Sequence, residues 1–212
     1  MAVTSETDFM SRVKEQTWPL HQQAEGRPLE QALIKGELPR PLYVKYLEQR
    51  YLIHRALENH VRRLAQQHPA LQQMIREELF QEANLVVDLQ HLGSKVDQIA
   101  PGRATLAFLS EMEALLKGEP LALLGSYYVF EGSKNGGRYI ARSVSRAFQL
   151  PPGPGLRYLD PHGEQQRELW ARFRTGMNQL DLTPPQQDAI IAAAKRTFEL
   201  VSQLDDELYM GA

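Results

Sequence analysis

The sequence contains no cysteine. That rules out disulfides, thiolate nucleophiles and cysteine-held metals, and it suits a reducing compartment such as the cytoplasm. Net charge is also scarce: −2 over 212 residues, which gives no reason to expect nucleic acid or an anionic membrane as the main partner. There is no secretory start, since MAVTSETDFM has neither a basic opening nor an apolar core. Long hydrophobic runs are missing too. The longest, Leu121 to Phe130, is broken by Gly125 and Ser126 and is too short to span a bilayer. Convincing strand-like alternation, internal repeats and low-complexity tracts are all lacking. So are a P-loop, a dinucleotide glycine fingerprint, an HExxH pair, a nucleophile elbow and the paired Glu-x-x-His motifs of di-iron bundles.

What is present is helical periodicity with clear punctuation. Residues 5–25 open with Ser5 and Asp8 in a capping-box-like spacing, ahead of helical periodicity at Phe9, Val13 and Leu20. Pro19 interrupts that segment, which predicts either a kink or a second short helix. A short helix over 28–35 ends at Gly36, and LPRP at 38–41 leads into a long helix to about residue 67. Its apolar stripe carries His54 and His60, whose separation of six does not put them on one face. Helical segments follow over 70–80, 82–92 and 103–117. LPPGPG at 150–155 is a loop within the domain, and a helix follows over 164–180. Thr183 and Pro184 start the last helix. The expected architecture is all-α: one domain over 1–212, a bundle of about eight helices, with residues 1–7 and 211–212 as flexible termini.

Two features carry chemistry. His21 and Glu25 stand four apart on the first helix, which by spacing alone reads as an exposed His–Glu pair. Tyr127 to Phe148 reads as one long helix whose middle holds Gly132, Gly136 and Gly137, with Ser133 and Asn135 among them. Each interior glycine costs a helix about 1 kcal/mol relative to alanine. Three mark a bend, a glycine turn between two helices, or a place where something approaches the backbone closely. Arg138, Arg142 and Arg146 fall four apart on one face of this helix, with Lys134 nearby. They form either a solvated basic face or a docking face for an acidic partner. In an all-α protein a histidine, a glycine-lined helix and scattered basic residues can make a haem site.

Three blocks carry a resemblance: KEQTWPLHQQAE at 14–25, LGSYYVFEGSKNGGRYIARSVSRAF ending at Phe148, and FRTGMNQLDLTPPQQDAIIAAAKRTFEL at 173–200. In this order and spacing the chain resembles haem oxygenases of the biliverdin-producing, bacterial type. The resemblance implies a fold with haem between the first helix and the glycine-rich one. Haem would be both cofactor and substrate, cut to biliverdin, carbon monoxide and ferrous iron with dioxygen and an external electron donor such as a ferredoxin or a flavin reductase. It implies His21 as the iron ligand, oriented by Glu25. Gly132, Ser133, Gly136 and Gly137 would face the bound oxygen. Lys14, Tyr127 and Arg174 would contact the propionates, and Phe198 would pack on the ring. Ser133 stands where many relatives carry an aspartate, and Trp170 where a second basic partner is expected, with Arg167 or Arg172 as substitutes. A monomer is expected. The alternative is a haem carrier or sensor without turnover; a thiaminase-like enzyme would need the cysteine this chain lacks.

Overall fold

A computed structural model describes residues 8–211. Ser5 and the expected flexible residues 1–7 lie outside that range. The described residues form eight α-helices: α1 Phe9–Glu25, α2 Pro28–Lys35, α3 Arg40–Gln67, α4 Glu82–His91, α5 Arg103–Lys117, α6 Leu123–Phe148, α7 Gln166–Asn178 and α8 Pro184–Met210. No strand occurs among them.

The helix ends follow local chemistry. The Asp8 carboxylate accepts the Ser11 N–H at 2.7 Å and caps α1. Gly36 stops α2 with φ of 73°, a left-handed residue that closes the last turn. Thr183 and Gln186 form a reciprocal capping box at α8, with Pro184 in the first turn. α1 runs through Pro19 as one helix, so the second short helix that was one of the two expectations does not form. The expected helix over 70–80 is also corrected. Two short 3-10 turns, Pro69–Gln73 and Glu77–Leu79, occupy that stretch.

Two apolar clusters hold the helices. Val13, Leu57, Phe108, Leu123, Phe130, Phe173 and Leu204 belong to one. Leu29, Leu33, Tyr43, Leu47, Leu85 and Val144 belong to the other. α6 packs on both α3 and α8. Its crossing with α8 is close because position 125 is glycine. A β-carbon there would lie 2.1 Å from the Ile190 carbonyl oxygen. The Ser126 and Thr197 hydroxyls bond across the same crossing at 2.8 Å. Among the described residues no helix is long and apolar enough to cross a membrane.

The 150s loop is pinned rather than loose. Asp88 of α4 accepts backbone N–H groups from Gly155, Arg157 and Tyr158 at 2.7, 3.1 and 2.8 Å. Burial raises the Asp88 carboxyl, and those three donors oppose the rise. Tyr43 donates to the Gly155 carbonyl at 2.9 Å. These bonds fix Tyr158 and Leu159 against α6.

Candidate functional site: a cavity between the first helix and the glycine-rich helix

A cavity of about 610 Å³ opens between α1 and α6 and is lined mainly by apolar surface. That is the size range of small-molecule and cofactor pockets, roughly 300–1,000 Å³. Met10, Lys14, Thr17, Trp18, His21 and Glu25 line it from α1. Gly132, Ser133, Gly136, Gly137 and Ile140 line it from α6, and Trp170 and Arg174 from α7.

The glycine cluster does not divide the segment into two helices, and its members do not act as one unit. α6 is continuous from Leu123 to Phe148. Gly137 lets a neighbour approach: a β-carbon there would sit 2.0 Å from the Leu159 carbonyl oxygen. Gly132 faces Trp170, whose ring would lie 3.5 Å from such a carbon. Gly136 has nothing within 4 Å and is open to the cavity. Ser133 donates to the Phe130 carbonyl at 2.8 Å, so its hydrogen is used within the helix and its lone pairs remain free.

Opposite stands His21. Its ring stacks on Trp18 at 5.2 Å and meets the edge of Phe198 at 5.6 Å. Nδ1 faces Glu25 at 3.6 Å, too long for a hydrogen bond, and is buried without another partner. The expected exposed pair is therefore a half-buried ring at the wall of the cavity. Lys14 lies over the Trp18 ring at 5.9 Å, and Trp18 itself is 46% exposed at the mouth.

Of the residues expected in the site, the cavity gathers Lys14, His21, Glu25, Gly132, Ser133, Gly136, Gly137, Arg174 and Phe198. Tyr127 is corrected. Its ring is buried between Phe80 and Phe173, both edge-on, and does not line the cavity. Tyr128, one residue on and about 100° around the helix, lines it instead. Arg167 and Arg172 do not line it either; Arg172 pairs with Glu168 at 2.5 Å on an exposed face. Lys134 leaves the expected basic row. It is buried, with Nζ 2.6 Å from the Leu79 carbonyl and 2.5 Å from Glu131. Burial raises the Glu131 carboxyl, with Lys134 opposing it. Arg138 lies 3.9 Å from Asp160 and 3.6 Å from Glu164. Arg142 and Arg146 remain beside the exposed Tyr139, on a groove that shares Ile34 with the cavity.

The inner wall was not expected. Arg50, Glu30, Tyr46, His54 and Tyr158 line the buried end. The Arg50 guanidinium lies 3.4 Å from Asp205 and 3.8 Å from Glu30, and stacks 4.8 Å over Tyr46. Two carboxyl groups share one buried cation. Burial pushes Asp205 up to about 8 although Arg50 opposes it, and Glu30 is raised for the same reason. The one signal for this wall in the sequence was His54, a polar residue on the apolar stripe of α3.

Among the described residues no cluster of three or more His, Cys, Asp or Glu could hold a bare metal ion. A flat, largely apolar group carrying its own metal fits better. His21 offers one nitrogen donor, Gly136 leaves backbone uncovered opposite it, and Lys14 and Arg174 bring positive charge for acidic substituents.

Comparison with known proteins agrees with this geometry. Residues 7–207 match the family profile described as Heme oxygenase. Heme oxygenase 1 of Bos taurus is 27% identical over 206 residues, covering 95% of this chain and 71% of that protein. The solved heme oxygenase of Leptospira interrogans superposes with a TM-score of 0.86 at 23% identity, covering 95% of this chain and all of that one. The heme complex of heme oxygenase-1 from Synechocystis gives 0.87 at 21% identity, covering 97% and 94%. The chain belongs to the haem oxygenase family.

Proposed function

We infer that this protein is a haem oxygenase, an enzyme that cuts haem to biliverdin, carbon monoxide and ferrous iron using dioxygen and electrons from an external donor. Family membership over nearly the whole chain supports the activity. The observation that carries the site assignment is His21 facing the uncovered backbone of Gly136 across one cavity. Haem is the substrate: bound, it supplies both the iron at which dioxygen is reduced and the ring that is opened.

The chain's own residues do the rest. With Nδ1 turned to Glu25, His21 has Nε2 left for the iron. Trp18 and Phe198 fix the plane of its ring. Lys14 and Arg174 take the propionates at the mouth, with Tyr128 in the place first expected for Tyr127. A neutral imidazole donates less electron density than a thiolate, so the O–O bond is not strongly driven to break before it meets the ring. Gly136 leaves the α6 backbone uncovered where a bound haem would lie, which would leave a small ligand on that side little room except toward the ring edge. Ser133 presents lone pairs to hold solvent beside it.

The donor reading favours a soluble acidic protein such as a ferredoxin or a flavin reductase, docking at Tyr139, Arg142 and Arg146. The shared Ile34 places that groove next to the cavity. A cytoplasmic monomer goes with such a donor.

The test is an anaerobic haem titration followed by ascorbate, or a ferredoxin system, in air with full visible spectra. Soret decay with growth of a broad red biliverdin band is expected. A stable spectrum under both reductants would point to a carrier or sensor, and no haem binding would end the assignment.

A further inference from the structure

The buried end of the cavity holds a cation that the propionate and donor assignments leave unused. Arg50 is 3% exposed, yet its side chain lines the cavity. Its guanidinium sits 4.8 Å over the Tyr46 ring and reaches Asp205 at 3.4 Å and Glu30 at 3.8 Å. Both distances are long for a charge-assisted bond. Nε of Arg50 is buried with no partner, and so is Oδ2 of Asp205. This guanidinium thus has a donor to spare inside a cavity whose ligand carries two carboxylates.

A carboxylate that reached Arg50 would be held away from water, where an ion pair is stronger than at an exposed site. Lys14 and Arg174, the cations at the mouth, are both exposed. By burial alone the propionates would point inward. The charge beside Arg50 opposes that. The Asp205 side chain is 0% exposed and does not line the cavity. Glu30 lines it and keeps 17% of its side chain exposed. Burial pushes Asp205 up to about 8, so near neutral pH Asp205 holds a proton. Burial raises Glu30 as well, and Arg50 opposes the rise. A buried cation needs one anion, and Glu30, the carboxyl with solvent beside it, carries that charge.

We propose that Glu30 sets which way round haem enters the cavity: its carboxylate on the wall beside Arg50 turns the propionates away from the buried end and leaves them to Lys14 and Arg174 at the mouth. The proposal rests on the haem oxygenase reading and adds to it the reason for a single seat. Two seats compete, related by turning the ring in its own plane. His21 meets the iron in both. They differ in which meso carbon lies where a small ligand is confined beside α6. A wall that selects the seat therefore selects the biliverdin isomer, and Glu30 is a specificity-determining residue. A purely structural ion pair would need one carboxyl for one guanidinium, and Asp205, wholly buried, would suffice.

The test loads the full chain, unaltered or Glu30→Gln, with a ferric haem symmetric about the line between its propionates. Flipping such a ring changes nothing, so each set of haem-methyl proton resonances reports one in-plane seat. The unaltered complex should give one set. Glu30→Gln should bind the haem and add a second set of at least about a tenth of the total intensity. With natural haem, chromatography of its product should show a second biliverdin isomer. Glu30→Gln with Arg50→Met should return to one set, because the inner cation is gone. With the haem dimethyl ester, which lacks the propionate charges, the unaltered and Glu30→Gln proteins should give the same pattern. Thermal unfolding without ligand checks each fold, and Glu30→Ala stands in if the glutamine protein does not fold. A single set from the haem-loaded Glu30 variant overturns the proposal alone, as does a mixture in the unaltered complex or a second set that survives Arg50→Met. Failure of the unaltered protein to bind haem would sink the proposal and the underlying reading together.

Discussion

A β-carbon on Gly137 would lie 2.0 Å from the carbonyl oxygen of Leu159, while one on Gly136, the adjacent residue, would meet nothing within 4 Å. Two neighbouring glycines in one helix thus answer to different demands. Gly137 admits the pinned loop that carries Tyr158, and Gly136 leaves room for a ligand. Gly137→Ala must displace backbone, which outweighs the gain in helix propensity. It should destabilise the protein by about 2 kcal/mol or more. Thermal unfolding without ligand would show it; an unchanged Tm would mean the loop can retreat freely.

Gly136→Ala should do the reverse. The position is helical and open, so the ligand-free protein should gain roughly 1 kcal/mol and about 2–4 °C in Tm. The same methyl group occupies the space across from His21, so haem affinity and turnover should fall. A variant that is more stable and equally active would remove Gly136 from the site.

How much of this was readable beforehand follows from what kind of signal each residue gives. The helix ends at Gly36 and Thr183 were legible because caps are local chemistry. The stretch over 70–80 was not, because long-range partners claim its backbone: Lys134 takes the Leu79 carbonyl and Glu58 takes the Gln81 N–H. His21 and the glycines were found by motif, yet motif could not choose between Tyr127 and Tyr128. One residue is about 100° of rotation, and packing on Phe80 and Phe173 decides it. Arg50 and Asp205 are 155 residues apart, so no window of sequence shows them as partners.

Ser133→Ala removes a hydroxyl whose hydrogen goes to its own helix and whose lone pairs face the cavity. Loss of the back-bond to Phe130 should leave stability level or slightly higher. Haem titration should be unchanged and ring opening slower. If turnover persists at the original rate, backbone groups hold the solvent without it.

Charge reversal at Arg142 and Arg146 tests the donor face. Neither has a carboxylate within ion-pair reach among the described residues, and Tyr139 beside them is 72% exposed. Reduction by an acidic protein donor should slow, as it should for the unaltered protein when salt is raised past the screening range. Reduction by dithionite should not change in either case. Equal loss with both reductants would place the effect in the cavity rather than at a docking surface.

The Arg50 cluster sets a pH dependence whose sign can be worked out. Asp205 titrates in the folded protein at about 8, far above the ordinary carboxylate, because burial outweighs Arg50. Between the unfolded and folded values the native state therefore holds the proton that the unfolded chain has lost. Stability falls with rising pH across that window. The contribution is fully present below about pH 4 and is lost as pH passes through about 8. Asp205→Asn keeps an oxygen to accept from Arg50 and removes the titration. Its unfolding free energy, measured by urea titration at several pH values, should be flatter than that of the unaltered protein between about pH 5 and 9, and its relative advantage should be greatest at the alkaline end. A parallel pair of curves would show that Asp205 stays ionised beside Arg50 throughout. The cluster would then be a permanent ion pair, with Glu30 left to account for the excess charge.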